Sequence, residues 1–128
     1  MTTSPKTPNL CEYSGAALAY LGDAVMEVQV RQMLVMRGIG NSGKLSALSL
    51  NYVRATEQSR GLEGLLAHLT EEESGVYHRG RNAAGAHPKS ASVNDYRRAT
   101  GLEALFGYLY LSDQIDRVRE LVVLCVEE

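Results

Sequence analysis

Apolar residues recur at helical spacing along most of the chain, and no stretch alternates as a half-buried strand would. From Ser14 to Met36, Leu18, Leu21, Val25 and Val28 return every three or four residues. Ser14 stands where a cap belongs, and Gly38, Gly40, Asn41 and Ser42 end the run. A second helix is predicted from Leu45 to Arg60, with Leu45, Leu48, Tyr52, Val53 and Ala55 on its apolar side. Gly61 separates it from a short apolar piece, Leu62 to Leu69. Thr70-Glu71-Glu72-Glu73 has the form of a capping box and opens a helix that runs toward Asn82 or Ala84. Residues 85–92, rich in Gly, Pro and Ser, read as a loop before a helix from Val93 to Leu111. Ser112-Asp113 then caps a last helix whose inner stripe is Ile115, Val118, Leu121, Val122 and Cys125. The expected fold is all-α, with a flexible tail at residues 1–9 and a single domain at 10–128.

Two acids interrupt this pattern. Asp23 sits within Ala19-Tyr20-Leu21-Gly22-Asp23-Ala24-Val25, and Glu103 within the apolar run from Thr100 to Tyr110. Burying a carboxylate costs several kcal/mol unless a cation or hydrogen-bond donor meets it. Two acids on core-type helices therefore suggest a shared cation, provided the helices pack side by side. Mg²⁺ suits such a pair, because it takes oxygen ligands and keeps several waters. The alternative is that each acid pairs with an arginine or caps backbone. Glu27 shares a face with Asp23, but Arg31 lies four residues on, and a surface ion pair is the preferred reading. Gly101 and Gly107 fall inside the helix predicted from Val93 to Leu111, where each costs up to about 1 kcal/mol relative to Ala. Their presence implies the close approach of another backbone.

Charge changes the picture locally. The net charge of −2 argues against a nucleic-acid binder, yet Arg79, Arg81, Lys89, Arg97 and Arg98 crowd the segment from His78 to Arg98 against one acid, Asp95. This marks an anion-binding face, or a solvated helix end, on an acidic body. Glu71 to Glu73 read as helix-start electrostatics, not as metal ligands. His68, His78 and His87 fit no zinc spacing, although His87 lies in the basic loop. Phosphate loops and nucleophile elbows are absent. Cys11 and Cys125 are far apart in sequence and read as free thiols of a reducing cytoplasm. No apolar run approaches the roughly 20 residues of a membrane span, and the polar first nine residues are no signal peptide.

Together the two acidic segments resemble the catalytic domain of the ribonuclease III superfamily, and most closely its short members, the Mini-ribonuclease III family. The first signature is matched by residues 17–25, the second by Arg79-Gly80-Arg81-Asn82-Ala83. The third is matched by Pro88-Lys89, Tyr96-Arg97 and the run from Thr100 to Leu111. The resemblance covers roughly residues 10–125. It implies a homodimeric, cytoplasmic endonuclease that cuts double-stranded RNA with Mg²⁺, Mn²⁺ being a possible substitute. By the same resemblance the substrate is a large-subunit ribosomal RNA precursor, with a ribosomal protein as a possible accessory. Asp23 and Glu103 then hold the metal and carry catalysis. Arg79, Arg81, Asn82, Lys89, Arg97 and Arg98 then contact RNA.

Longer ribonucleases III carry Glu where this chain has Ala19, and Asp where it has Thr100. The short family resembles this chain in having small and hydroxyl residues there, so that waters replace the missing carboxylates. Without a separate double-stranded-RNA-binding domain, affinity is expected from the endonuclease domain itself. Two alternatives stay open: a non-catalytic RNA-binding or ribosome-assembly module of the same fold, and a helical protein-interaction domain whose acids are structural. Met26, Val30, Met33 and Met36 suit either a dimer interface or the core.

Overall fold

A computed structural model describes residues 13–58, 61–85 and 93–126. The predicted tail at residues 1–9, Cys11, His87, Pro88 and Lys89 lie outside the described residues. Six helices follow in order: α1 (Gly15–Met36), α2 (Ser42–Gln58), α3 (Gly61–Ala67), α4 (Glu71–Ala83), α5 (Val93–Leu111) and α6 (Ile115–Val126). None is long and apolar enough to cross a membrane, among the described residues.

Local chemistry explains most boundaries. The Ser14 hydroxyl accepts from the Ala17 N–H at 3.0 Å and caps α1. At its other end Gly38, at φ +86°, reverses the chain: its N–H reaches the Val35 carbonyl and that of Ile39 the Leu34 carbonyl. α2 begins at Ser42, three residues before the predicted Leu45. Asn41, expected only to end α1, also accepts from the Lys44 N–H at 3.0 Å and so starts the next helix. Thr70 and Glu73 form the expected capping box. Ser112-Asp113 does not cap α6. The Ser112 hydroxyl donates backward to the Tyr108 carbonyl at 2.8 Å, and Asp113, at φ 60°, closes α5. Here the N–H of Gln114 reaches the Leu109 carbonyl and that of Asp113 the Tyr110 carbonyl, the hydrogen-bond pattern of a left-handed helix end.

α5 is the central element. Its residues from Gly101 to Leu109 are buried except for Glu103, which is half-buried, so it is enclosed on all sides as an all-round apolar helix must be. α1 lies along it and α4 crosses both, while α6 closes the bundle against α1, α2, α3 and α5. α1 carries apolar residues nearly all round, and the fold buries only one side. Leu18, Val25, Met26, Val30 and Leu34 enter the core, whereas Tyr20, Val28, Val35 and Met36 are exposed. Val28 thus leaves the predicted inner stripe, and Met26 and Val30 belong to the core.

The acids that open α4 also anchor it. Tyr108 of α5 donates to the Glu72 carboxylate. Glu73, only 5% exposed, receives Arg117 of α6 in a two-pronged pair at 2.9 and 2.8 Å, and Arg117 also donates to the His68 carbonyl. The Arg117 guanidinium, with help from the Thr70 N–H and hydroxyl and against burial, holds the Glu73 carboxyl below its usual range. A lowered carboxyl pKa stabilises the fold above the unfolded-state value, and that stability is lost as pH falls through the folded-state value. Arg117→Ala strands a buried carboxylate and is expected to cost about 3 kcal/mol near neutral pH. This deficit should shrink as the medium is acidified below about pH 4; thermal melts of both proteins across that range check it.

Candidate active site at the crossing of α1 and α5

The seam between α1 and α5 is built on missing side chains. A Cβ added at Gly22 would stand 1.6 Å from the Glu103 carbonyl oxygen and 2.9 Å from the Gly107 nitrogen. One added at Gly107 would stand 2.1 Å from the Leu18 carbonyl oxygen. The close approach expected at Gly107 is therefore a backbone-to-backbone contact with α1. Asp23 follows Gly22 directly, and Glu103 is the residue whose carbonyl Gly22 touches. Both acids thus issue from one crossing.

Their surroundings differ from the sequence expectation. Asp23 is exposed and Glu103 half-buried, so neither is a carboxylate stranded in the core. What links them is the helix crossing, where the residue before Asp23 packs against the Glu103 backbone. Ala19, one turn before Asp23, is buried, and Thr100, one turn before Glu103, donates its hydroxyl to the Tyr96 carbonyl at 2.9 Å. Glu27 pairs with Arg31 at 3.6 Å, as its spacing predicts, and its Oε2 is shielded from solvent without a hydrogen bond. Among the described residues no three His, Cys, Asp or Glu side chains gather into a metal cage. Two carboxylates joined by no His or Cys among the described residues fit a hard cation that keeps most of its water. They do not fit zinc.

The basic residues flank the same helix. α4 meets α5 at Gly80, where a Cβ would lie 3.2 Å from both the Thr100 carbonyl oxygen and the Gly101 Cα. Arg79 and Arg81 bracket Gly80 and are half-buried, and Asn82 is exposed. On α5, Arg98 is half-buried and Arg97 exposed, one turn before Gly101. These four arginines, from two touching helices, carry no carboxylate partner among the described residues. Thr100 borders this contact and lies one turn from Glu103, so the basic face adjoins the acidic crossing. Tyr77 of α4 is buried, with its ring against Gly101 of α5. His68 and His78 are exposed, the latter edge-on to the Tyr77 ring at 5.3 Å.

An all-α domain with an Asp–Glu crossing beside a basic face is the layout of a ribonuclease III catalytic domain, and residues 16–114 match the ribonuclease III domain in sequence. Mini-ribonuclease 3 of Desulfitobacterium hafniense is 48% identical over 107 residues, 84% of this chain and 68% of the relative. That of Enterococcus faecalis is 42% identical over 120 residues, 91% of each chain. The crystal structure of a Fusobacterium nucleatum protein superposes with a TM-score of 0.78 at 30% identity, covering 91% of this chain and 93% of that one. The chain belongs to the Mini-ribonuclease 3 family and is an endoribonuclease of the ribonuclease III type.

Proposed function

We propose that this endoribonuclease cuts double-stranded RNA with Mg²⁺ held between Asp23 and Glu103. The observation that carries the reading is the Gly22–Glu103 backbone contact: the segments bearing the two acids meet at one helix crossing, beside arginines that have no carboxylate partner among the described residues. Mg²⁺ in such a site supplies Lewis acidity toward a phosphoryl oxygen and a bound water of lowered pKa. The chain's own part is to hold that charge and to present the duplex. Ala19 and Thr100 leave room for water where longer relatives have acids. Arg79, Arg81, Asn82, Arg97 and Arg98 contact backbone phosphates, and Lys89 joins them by its place in the sequence. Phosphate contacts orient the duplex without reading its bases, as suits recognition of A-form RNA by shape.

The working unit is a homodimer, one site for each of two antiparallel strands. An exposed apolar stripe on α1 supports this: Tyr20, at 87% exposure, then Ala24, Val28 and Val35 follow one another along one face, with Tyr110 of α5 also exposed. The substrate we infer is a large-subunit ribosomal RNA precursor in the cytoplasm, with a ribosomal protein as accessory and Mn²⁺ able to replace Mg²⁺.

A long labelled RNA duplex incubated with Mg²⁺ or with EDTA tests the reading. Cuts in both strands that need the metal support it, and intact duplex in the presence of Mg²⁺ overturns it. Arg81→Glu should weaken duplex binding and lower the slope of log affinity against log salt by about 1. Residual cutting should still need Mg²⁺. An unchanged salt slope would remove Arg81 from the interface.

A further inference from the structure

We propose that the cleft between the C-terminal half of α1 and α6 binds a nucleoside monophosphate, apart from the acidic crossing and the basic face. It holds a cavity of about 300 Å³, at the lower end of the range for small-molecule sites. Gln29, Gln32, Met33 and Arg37 of α1 line it, with Arg119 and Val122 of α6. None of the residues assigned above to metal or RNA contributes to its wall. Gln29 follows Asp23 by six residues, which sets the two on different faces of α1.

Gln29 is the residue that points to a ligand. It is 5% exposed, and burying a side-chain amide is costly unless both its ends are met. Its Oε1 accepts from Arg119 Nε at 3.4 Å. Arginine only donates, so this contact fixes which end of the amide is the oxygen. The Nε2 end has no hydrogen-bond partner among the described residues. Gln32 lies one turn further on, donates from Nε2 to Met36 Sδ at 3.7 Å, and keeps Oε1 as an acceptor. A spare donor and a spare acceptor at i and i+3 suit the mixed edge of a nucleobase. Met33 and Val122 supply an apolar bed for its ring, and thioethers pack well against aromatic rings.

Two guanidinium groups complete the site. Arg37 is anchored by donation from Nη1 to the Tyr52 hydroxyl at 2.9 Å. Arg119 reaches Asp116 at 3.5 Å, but both side chains are exposed and such a pair is worth little. A phosphate offers both arginines charge-assisted hydrogen bonds. An apolar peptide would leave the Gln29 amide unmet, and a bare anion would leave Met33 and Val122 uncovered. A nucleoside monophosphate meets all of them.

Calorimetric titration of the protein in EDTA with AMP, GMP, CMP and UMP tests this without any metal at the acidic crossing. At least one nucleotide is expected to bind with a Kd below about 1 mM. Its nucleoside and inorganic phosphate should each bind at least about tenfold more weakly. Arg119→Ala should weaken the nucleotide at least about tenfold, the range for a hydrogen bond to a charged group. Gln29→Glu keeps the shape and still accepts from Arg119, but turns the spare donor into an acceptor, and should weaken binding as much. Arg81→Glu, on the basic face, should leave the affinity within about twofold. Absence of binding by all four nucleotides, or phosphate binding as tightly as the nucleotide, would overturn the proposal. So would an affinity that Arg81→Glu abolishes, or one that Arg119→Ala and Gln29→Glu both spare in proteins that melt normally.

Discussion

Replacing Asp23 with asparagine, or Glu103 with glutamine, is expected to lower duplex cleavage by at least about a hundredfold while leaving folding and duplex binding intact. The size of the effect follows from how little the protein supplies. Among the described residues no third acid, His or Cys joins the pair. Each amide therefore removes half of the carboxylate charge available to a cation. Asp23 is exposed, and its amide is nearly isosteric, so Asp23→Asn opens no cavity and buries no orphan. Its stability should change by no more than about 0.5 kcal/mol. Initial cleavage rates, duplex anisotropy and thermal melts on the same preparations separate the three properties. Normal cutting by either variant would remove that residue from the proposed metal site.

Gly22→Ala is expected to destabilise the fold by at least about 3 kcal/mol. Its methyl would stand 1.6 Å from the Glu103 carbonyl oxygen, and that neighbour is backbone, which no rotamer change can move. α1 and α5 would have to separate along the seam that carries the core. Gly107→Ala meets the Leu18 carbonyl at 2.1 Å and should behave alike. Gly75 supplies the contrast. It lies in α4 with nothing within 4 Å of an added Cβ, so Gly75→Ala should stabilise by about 0.5–1 kcal/mol through helix propensity alone. The folded fraction of Gly22→Ala should also cut poorly, because separating the helices separates Asp23 from Glu103. A Gly22→Ala protein that melts within a few degrees of the parent would show that the seam yields more readily than its geometry implies.

Much of this was legible in the chain. The caps at Ser14 and Thr70, the extents of α1 and α5, the glycine contacts and the Glu27–Arg31 pair all follow from spacing within a few residues. Such features are governed by helix geometry, which is the same wherever the helix ends up. The resemblance carried by three ordered motifs supplied the ribonuclease III reading, which composition and periodicity alone would not have reached. Other features were out of reach. α1 is apolar on nearly every side, so its periodicity was consistent with several inner stripes, and packing against α5 chose Met26 and Val30 over Val28. Glu73 and Arg117 lie 44 residues apart, and nothing in either segment announces the other.

By itself, then, the sequence determined the helices, most of their ends to within a few residues, and which residue types were available for chemistry. Tertiary structure decided which faces meet. It set Asp23 at the surface instead of in the core, and packed the backbone of Gly22 against that of Glu103 and the backbone of Gly107 against that of Leu18. The physical reason is range: capping and periodicity act within a turn or two of one chain segment, whereas a site made by crossing helices exists only once distant backbones have come into contact.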